Sequence, residues 1–146
     1  MRKITLALLL LVSGCGERDP NYEKLQKLDG SARLAQFEAL PLDERFRLYN
    51  KIHNKSGHPH DVELSVGFQD RPREALNRII ADLKSSEFTD FLRYLPIIYN
   101  IGKRSSIDIC RPEYIGQLKG ILASYKLSAA QTKALDGLRF SRCQLP

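Results

Sequence analysis

The sequence predicts an all-α protein built from antiparallel helical hairpins. Three observations carry that expectation. Apolar residues recur at three- and four-residue spacing in stretch after stretch, which is the period of a helix face. Pro41, Pro72 and Pro112 stand at or between the ends of those stretches, where a helix starts or stops. No run alternates apolar and polar residues convincingly, as a half-buried strand would. Residues 61–68, Asp-Val-Glu-Leu-Ser-Val-Gly-Phe, come nearest and read as a short extended piece inside a long loop.

The N-terminal residues stand apart from that helical body. Arg2 and Lys3 give a positive start, and Ile4 to Val12 form a run of nine residues broken only by Thr5. A membrane-spanning helix needs roughly 20 apolar residues, whereas a signal-peptide core is of the length seen here. Small Ser13 and Gly14 then precede Cys15. Leu11-Val12-Ser13-Gly14-Cys15 resembles the lipobox of bacterial lipoproteins, a likeness confined to the first fifteen residues. It implies that residues 1–14 are a signal peptide, removed on export. It also implies that the Cys15 thiol carries a diacylglycerol of palmitate-like chains and that the mature chain begins at Cys15. Gly16 follows in place of an aspartate, which in that family implies the outer membrane, facing the periplasm. Each buried methylene contributes about 0.8 kcal/mol, so two or more acyl chains anchor a protein firmly.

Without residues 1–14 the chain keeps 132 residues, enough for one domain with a core of its own. The formal charge of +6 falls to +4 because Arg2 and Lys3 leave. The basic residues are spread along the chain and read mainly as solvated helix faces, and an envelope address argues against nucleic acid as a partner. Residues 15–30 are polar, with Pro20 and Gly30 as breakers, and read as a lipidated N-terminus and flexible tether with a short helical turn near Tyr22 to Leu28.

The helical domain is expected over residues 31–146. Ser31 is a candidate cap for a short helix carrying Leu34 and Phe37, stopped by Pro41. Leu42, Phe46, Tyr49 and Ile52 share one face of the next helix, with Asp43 and Glu44 in its first turn, where the helix dipole favours acids. Pro72 suits a first helical position, and Leu76, Ile79, Ile80 and Leu83 follow in the clearest amphipathic pattern of the chain. A fourth helix is expected to bury Phe88, Phe91, Leu92, Leu95, Ile98 and Tyr99, kinked at Pro96. A fifth carries Ile115, Leu118, Ile121, Leu122 and Tyr125, and Ser128 with Gln131 has capping-box spacing ahead of a last helix.

Two echoes run through this pattern. Leu48-Tyr49-Asn50 returns as Ile98-Tyr99-Asn100, and Arg71-Pro72 returns as Arg111-Pro112. Glu74, Leu76, Ile79 and Leu83 align with Glu113, Ile115, Leu118 and Leu122 one residue out of step. Paired helices at a period near 40 residues are similar to HEAT-type repeats. The expected architecture is thus a HEAT-like short solenoid or an irregular helical bundle.

With Cys15 taken by lipid, Cys110 and Cys143 remain, and in an oxidising periplasm they read as a disulfide. If the helices after Pro112 and Ser128 are antiparallel neighbours, Cys143 returns to the level of Cys110. Closing that loop would restrain the unfolded chain by roughly 3 to 4 kcal/mol on a chain-entropy argument.

Candidate chemistry is sparse. His53, His58 and His60 lie close in sequence beside Asp61 and Glu63, and imidazoles with a carboxylate are zinc or copper ligands. Their spacing matches no zinc pattern, and Pro59 separates two of them. There is no Gly-x-Ser-x-Gly elbow, no His-Glu-x-x-His helix and no Cys-x-x-Cys pair. Arg71, Arg73 and Arg78 with Arg111 form a candidate docking stripe. The expected function is a membrane-anchored, periplasm-facing, non-catalytic interaction module: a scaffold, an assembly factor or an inhibitor such as an immunity protein. It would need no cofactor and would act on an envelope protein of unknown identity. The alternative is a metal-binding or metal-dependent enzyme built on the three histidines.

Overall fold

The computed structural model describes residues 18–56 and 60–132, and among them every regular element is helical. In chain order these are α1 (Pro20–Gln26), α2 (Gly30–Glu38), α3 (Leu42–Ser56), α4 (His60–Leu64), a 3₁₀ turn (Ser65–Phe68), α5 (Pro72–Leu83), α6 (Phe88–Arg104) and α7 (Pro112–Ser124). Residues 129–132 begin one more helix. Ser128 and Gln131 cap it reciprocally: the Ser128 N–H donates to Gln131 Oε1 at 2.8 Å, and the Gln131 N–H donates to Ser128 Oγ at 3.3 Å. No described helix is long and apolar enough to cross a membrane.

One continuous core joins these elements. On α3 the expected face is inside: Phe46, Tyr49 and Ile52 are buried and Leu42 is partly so. The pattern on α5 holds completely, with Leu76, Ile79, Ile80 and Leu83 all buried behind Pro72 at the helix start. The four residues 84–87 return the chain so that α6 packs on α5, while α7 packs on the same helix. Pro112 starts α7 as Pro72 starts α5, and Ile115 and Leu118 are buried like Leu76 and Ile79. That echo is structural. The other is not: Tyr49 is fully buried, whereas Tyr99 is 58% exposed.

Several expectations need correction. Residues 61–68 are not extended. They form α4 and the 3₁₀ turn, and this segment plants Leu64 and Phe68 in the core. The α2 cap is Asp29 and not Ser31, with Gly30 as first helical residue at φ +41°, a value that suits glycine. α6 is turned relative to expectation. Phe91, Tyr94, Ile97, Ile98 and Ile101 face inward, and Leu92 and Tyr99 face outward. The apolar side of that helix is wide, so its period leaves the centre of the buried face open, and packing against α5 and the 3₁₀ turn sets it.

Part of the expected tether belongs to the folded body. Asp19 caps α1 by accepting the Tyr22 N–H at 3.1 Å, and Leu25 is fully buried. Two arginines then close the ends of the first two helices. Arg33 donates to the carbonyls of Leu25 (3.1 Å) and Leu28, behind α1, and to Glu63 at 3.1 Å. Arg45, 3% exposed, donates to the carbonyls of Leu40 (2.8 Å) and Glu38, behind α2. It also reaches Gly67 O at 2.7 Å and both oxygens of Asp70 at 2.6 and 3.0 Å. Carbonyls at a helix end have no partner within the helix, and a guanidinium with five donors supplies several at once.

The 3₁₀ turn fits closely against α2. A Cβ placed on Gly67 would stand 2.7 Å from Phe37 Cδ1 and 3.1 Å from its Cε1. Its φ of −70° suits any residue, so the demand is for space alone. Gly67→Ala is expected to cost about 1 to 3 kcal/mol through overpacking. Urea denaturation would check this, and the paired Gly67→Ala/Phe37→Leu variant should recover part of the loss.

Candidate functional site

Arg71 and Arg111 are the N-cap residues of α5 and α7, and Arg73 lies in the first turn of α5. The chain enters both helices through an Arg-Pro pair, and this brings Arg73 and Arg111 to one cleft of about 140 Å³. Ser106, Ile107 and Asp108 come to it from the connection before α7, and Glu113 and Tyr114 from its first turn. Asp108 holds that connection in shape: its Oδ1 accepts the Cys110 N–H at 3.0 Å and its carbonyl accepts the Arg111 N–H at 3.3 Å. Tyr114 is buried and Ile107 partly buried. Two guanidinium groups and two carboxylates balance in charge. Such a cleft suits a polar side chain of a partner, held by paired hydrogen bonds, better than a bare anion.

The four arginines expected to form one stripe are divided. Arg71 stands outside the cleft lining and pairs with Glu74 at 3.7 Å, both well exposed. Arg78 is engaged in holding the fold. It donates to Asp82 at 3.1 Å and to Asp43 at 2.9 Å, and its guanidinium lies 5.8 Å from the centre of the Phe46 ring. The Asp82 carboxylate and then Asp43 hold its pKa above the usual arginine value.

His53 lies on α3 as expected. His58 lies outside the described residues, as does the side chain of His60. Among the described residues no group of three His, Cys, Asp or Glu side chains could hold a metal ion. Cys110 is disulfide-bonded, while Cys15 and Cys143 lie outside the described residues.

Two polar clusters were not anticipated. In the first, Tyr94 accepts from Asn50 Nδ2 at 3.2 Å and donates to Asp82 Oδ2 at 3.3 Å. Burial pushes the Tyr94 phenol up from its ordinary pKa, so it stays a donor through neutral pH. The second fastens α1 to α3. The Asp19 carboxylate accepts from Arg47 at 2.6 Å and Lys51 at 2.8 Å. Glu44 accepts from Arg47 at 2.6 and 2.7 Å and from Asn21 at 3.0 Å. Lys51 and Lys55 stand 4.9 and 5.2 Å from the centre of the Tyr22 ring. The signal for this latch in the sequence is Asp19-Pro20, a cap followed by a first-turn proline.

Hydrogen bonds from Arg47, opposed in part by desolvation, hold the Asp19 carboxyl well below the ordinary carboxylate range. Arg47 and Asn21 lower Glu44 in the same way. A carboxylate with a depressed folded pKa stabilises above its unfolded value near 4 and loses that contribution as pH falls toward the folded value. α1 is therefore expected to loosen in acid below about pH 4. Asp19→Asn keeps a capping side chain but removes the charge, and should cost about 1 kcal/mol at pH 7. It should also flatten the decline between pH 5 and 2. Thermal unfolding at both pH extremes checks this, and an unchanged acid slope would remove the ion pairs from the explanation.

Comparison with protein-family models, curated proteins and solved structures finds no match for this chain.

Proposed function

We propose that the chain is a lipid-anchored protein of the bacterial envelope whose helical body is a non-catalytic interaction module. Cys15 carries the acyl chains and holds the body at the outer membrane, facing the periplasm. The body works there as a scaffold, assembly factor or inhibitor of another envelope protein. The observation that carries this reading is Leu11-Val12-Ser13-Gly14-Cys15, set just ahead of a helical body whose first cap is Asp19. Two features offer ground for a partner: the Arg73–Arg111 cleft, and Leu92 with Tyr99, which are 41% and 58% exposed on α6.

Cys15→Ala is expected to abolish labelling by radioactive palmitate and to move the protein from the membrane fraction to the soluble one. Labelling that survives the substitution would end the lipoprotein reading. Crosslinking in the native envelope should return one recurrent partner. Arg73→Glu with Arg111→Glu should lower its yield about tenfold, equivalent to about 1.4 kcal/mol. Repeated crosslinking that returns no recurrent protein would end the interaction reading.

A further inference from the structure

We propose that the face formed by α1 and the adjoining side of α3 lies against the membrane that holds Cys15, with its lysines meeting anionic lipid headgroups. This rests on the lipid-anchor reading and adds an orientation and a second ligand to it.

The first argument is reach. A flexible tether ending at residue 30 would span about 50 Å when extended, at roughly 3.3 to 3.6 Å per residue, and would leave the body free to tumble. The latch removes most of that length. Asp19 is only 8% exposed and is bound to Arg47 and Lys51, and Leu25 behind it is in the core. Three residues remain between Cys15 and Asp19, so the four steps that join them reach at most about 14 Å. A lipid on Cys15 therefore holds the α1 end of the body close to the bilayer surface.

The second argument is charge. Arg18, Lys24 and Lys27 are exposed on and beside α1, and Arg47, Lys51 and Lys55 are the α3 cations around it. Asp19, Glu23, Asp29 and Glu44 oppose these six, leaving a surplus of two positive charges among the described residues. Lys24, Lys27 and Lys55 appear in no ion pair of the described residues and are exposed. Attraction to an anionic leaflet acts within about a Debye length, about 8 Å at physiological salt. The short connection keeps this face near that range.

The chain has no tryptophan, so one introduced tryptophan reports alone. The full lipidated chain would be reconstituted in vesicles of phosphatidylglycerol and phosphatidylcholine containing a headgroup nitroxide lipid. One reporter is Gln26→Trp on α1 and the other is Ala123→Trp on α7, both at exposed positions. Quenching is expected to be at least about threefold stronger for the α1 reporter. Either 0.5 M salt or Lys24→Glu, Lys27→Glu and Lys55→Glu combined should bring the ratio toward one, as should pure phosphatidylcholine. Unchanged circular dichroism would show that the charge variant is folded. Equal quenching of both reporters, with the chain still floating with the vesicles, would overturn the orientation and leave the anchor standing. A ratio indifferent to salt and lipid charge would overturn the headgroup contact. A chain that carries no acyl mass and does not float would overturn the anchor reading and this proposal with it.

Discussion

Phe68→Ala is expected to lower the free energy of unfolding by about 4 kcal/mol, within the range for truncating a buried aromatic residue. Phe68 is fully buried and is the hub of an aromatic cluster. Its ring centre lies 4.7 Å from Phe46, 5.5 Å from Phe37 and 5.8 Å from Tyr49. Those three residues come from α2 and α3, so the truncation opens a cavity where the 3₁₀ turn meets two helices. The turn has few ways to collapse into the space. The Ser65 hydroxyl donates to Val62 O at 2.5 Å and accepts from Asn100 Nδ2 at 2.7 Å, and Gly67 O is held by Arg45. A domain of this size has about 5 to 15 kcal/mol in total, so the variant would be marginal. Its melting temperature should fall by about 10 °C or more. Leu92→Ala, at a 41% exposed position, should cost less than about 1 kcal/mol. Urea denaturation followed by circular dichroism separates the two variants, and similar losses for both would place Phe68 outside the core.

Arg45→Met is expected to cost about 3 kcal/mol, well beyond what a lost surface ion pair explains. Methionine replaces the aliphatic stem but none of the five donor bonds. The Asp70 side chain is 49% exposed and can return to water at little cost. The carbonyls of Glu38, Leu40 and Gly67 cannot rehydrate so readily beneath a side chain that is 3% exposed. A buried acceptor left without a partner costs about 1 to 3 kcal/mol. Asp70→Asn tests this division of labour. It removes the ion pair and leaves the carbonyl clamp, and should cost about 1 kcal/mol. Equal losses for the two variants would mean that the ion pair dominates and the carbonyl clamp contributes little. Arg45 also holds the Asp70 carboxyl below its ordinary pKa, so the Asp70 contribution should fade below about pH 4 while the carbonyl contribution persists.

Arg45 shows how far the helical period alone can be read. It falls between Leu42, Phe46 and Tyr49 on the apolar side of α3, so a charge inside the core was visible in the spacing. Its partners were not, since they lie on the preceding helix end and on a turn more than twenty residues later. The arginine cleft divides in the same way. The Arg-Pro pairs at 71–72 and 111–112 marked two helix starts correctly. Which arginines converge depends on how α5 and α7 pack, and Arg78 was drawn instead to Asp82 and Asp43. The Asp19 latch is not legible locally, because a short polar segment reads as linker until its charges meet complementary ones on another helix.

The sequence by itself determined the helical class, the starts of α5 and α7, the capping box at Ser128 and the inner faces of α3 and α5. These depend on residues within a few positions of one another, and a strongly amphipathic helix has one favourable side to bury. Tertiary structure alone decided the rotation of α6, the helical packing of residues 61–68, the Arg45 clamp and the docking of α1. Each depends on a free-energy difference between placements that are locally near equal. Contacts from residues distant in the chain supply that difference, and no local periodicity records them.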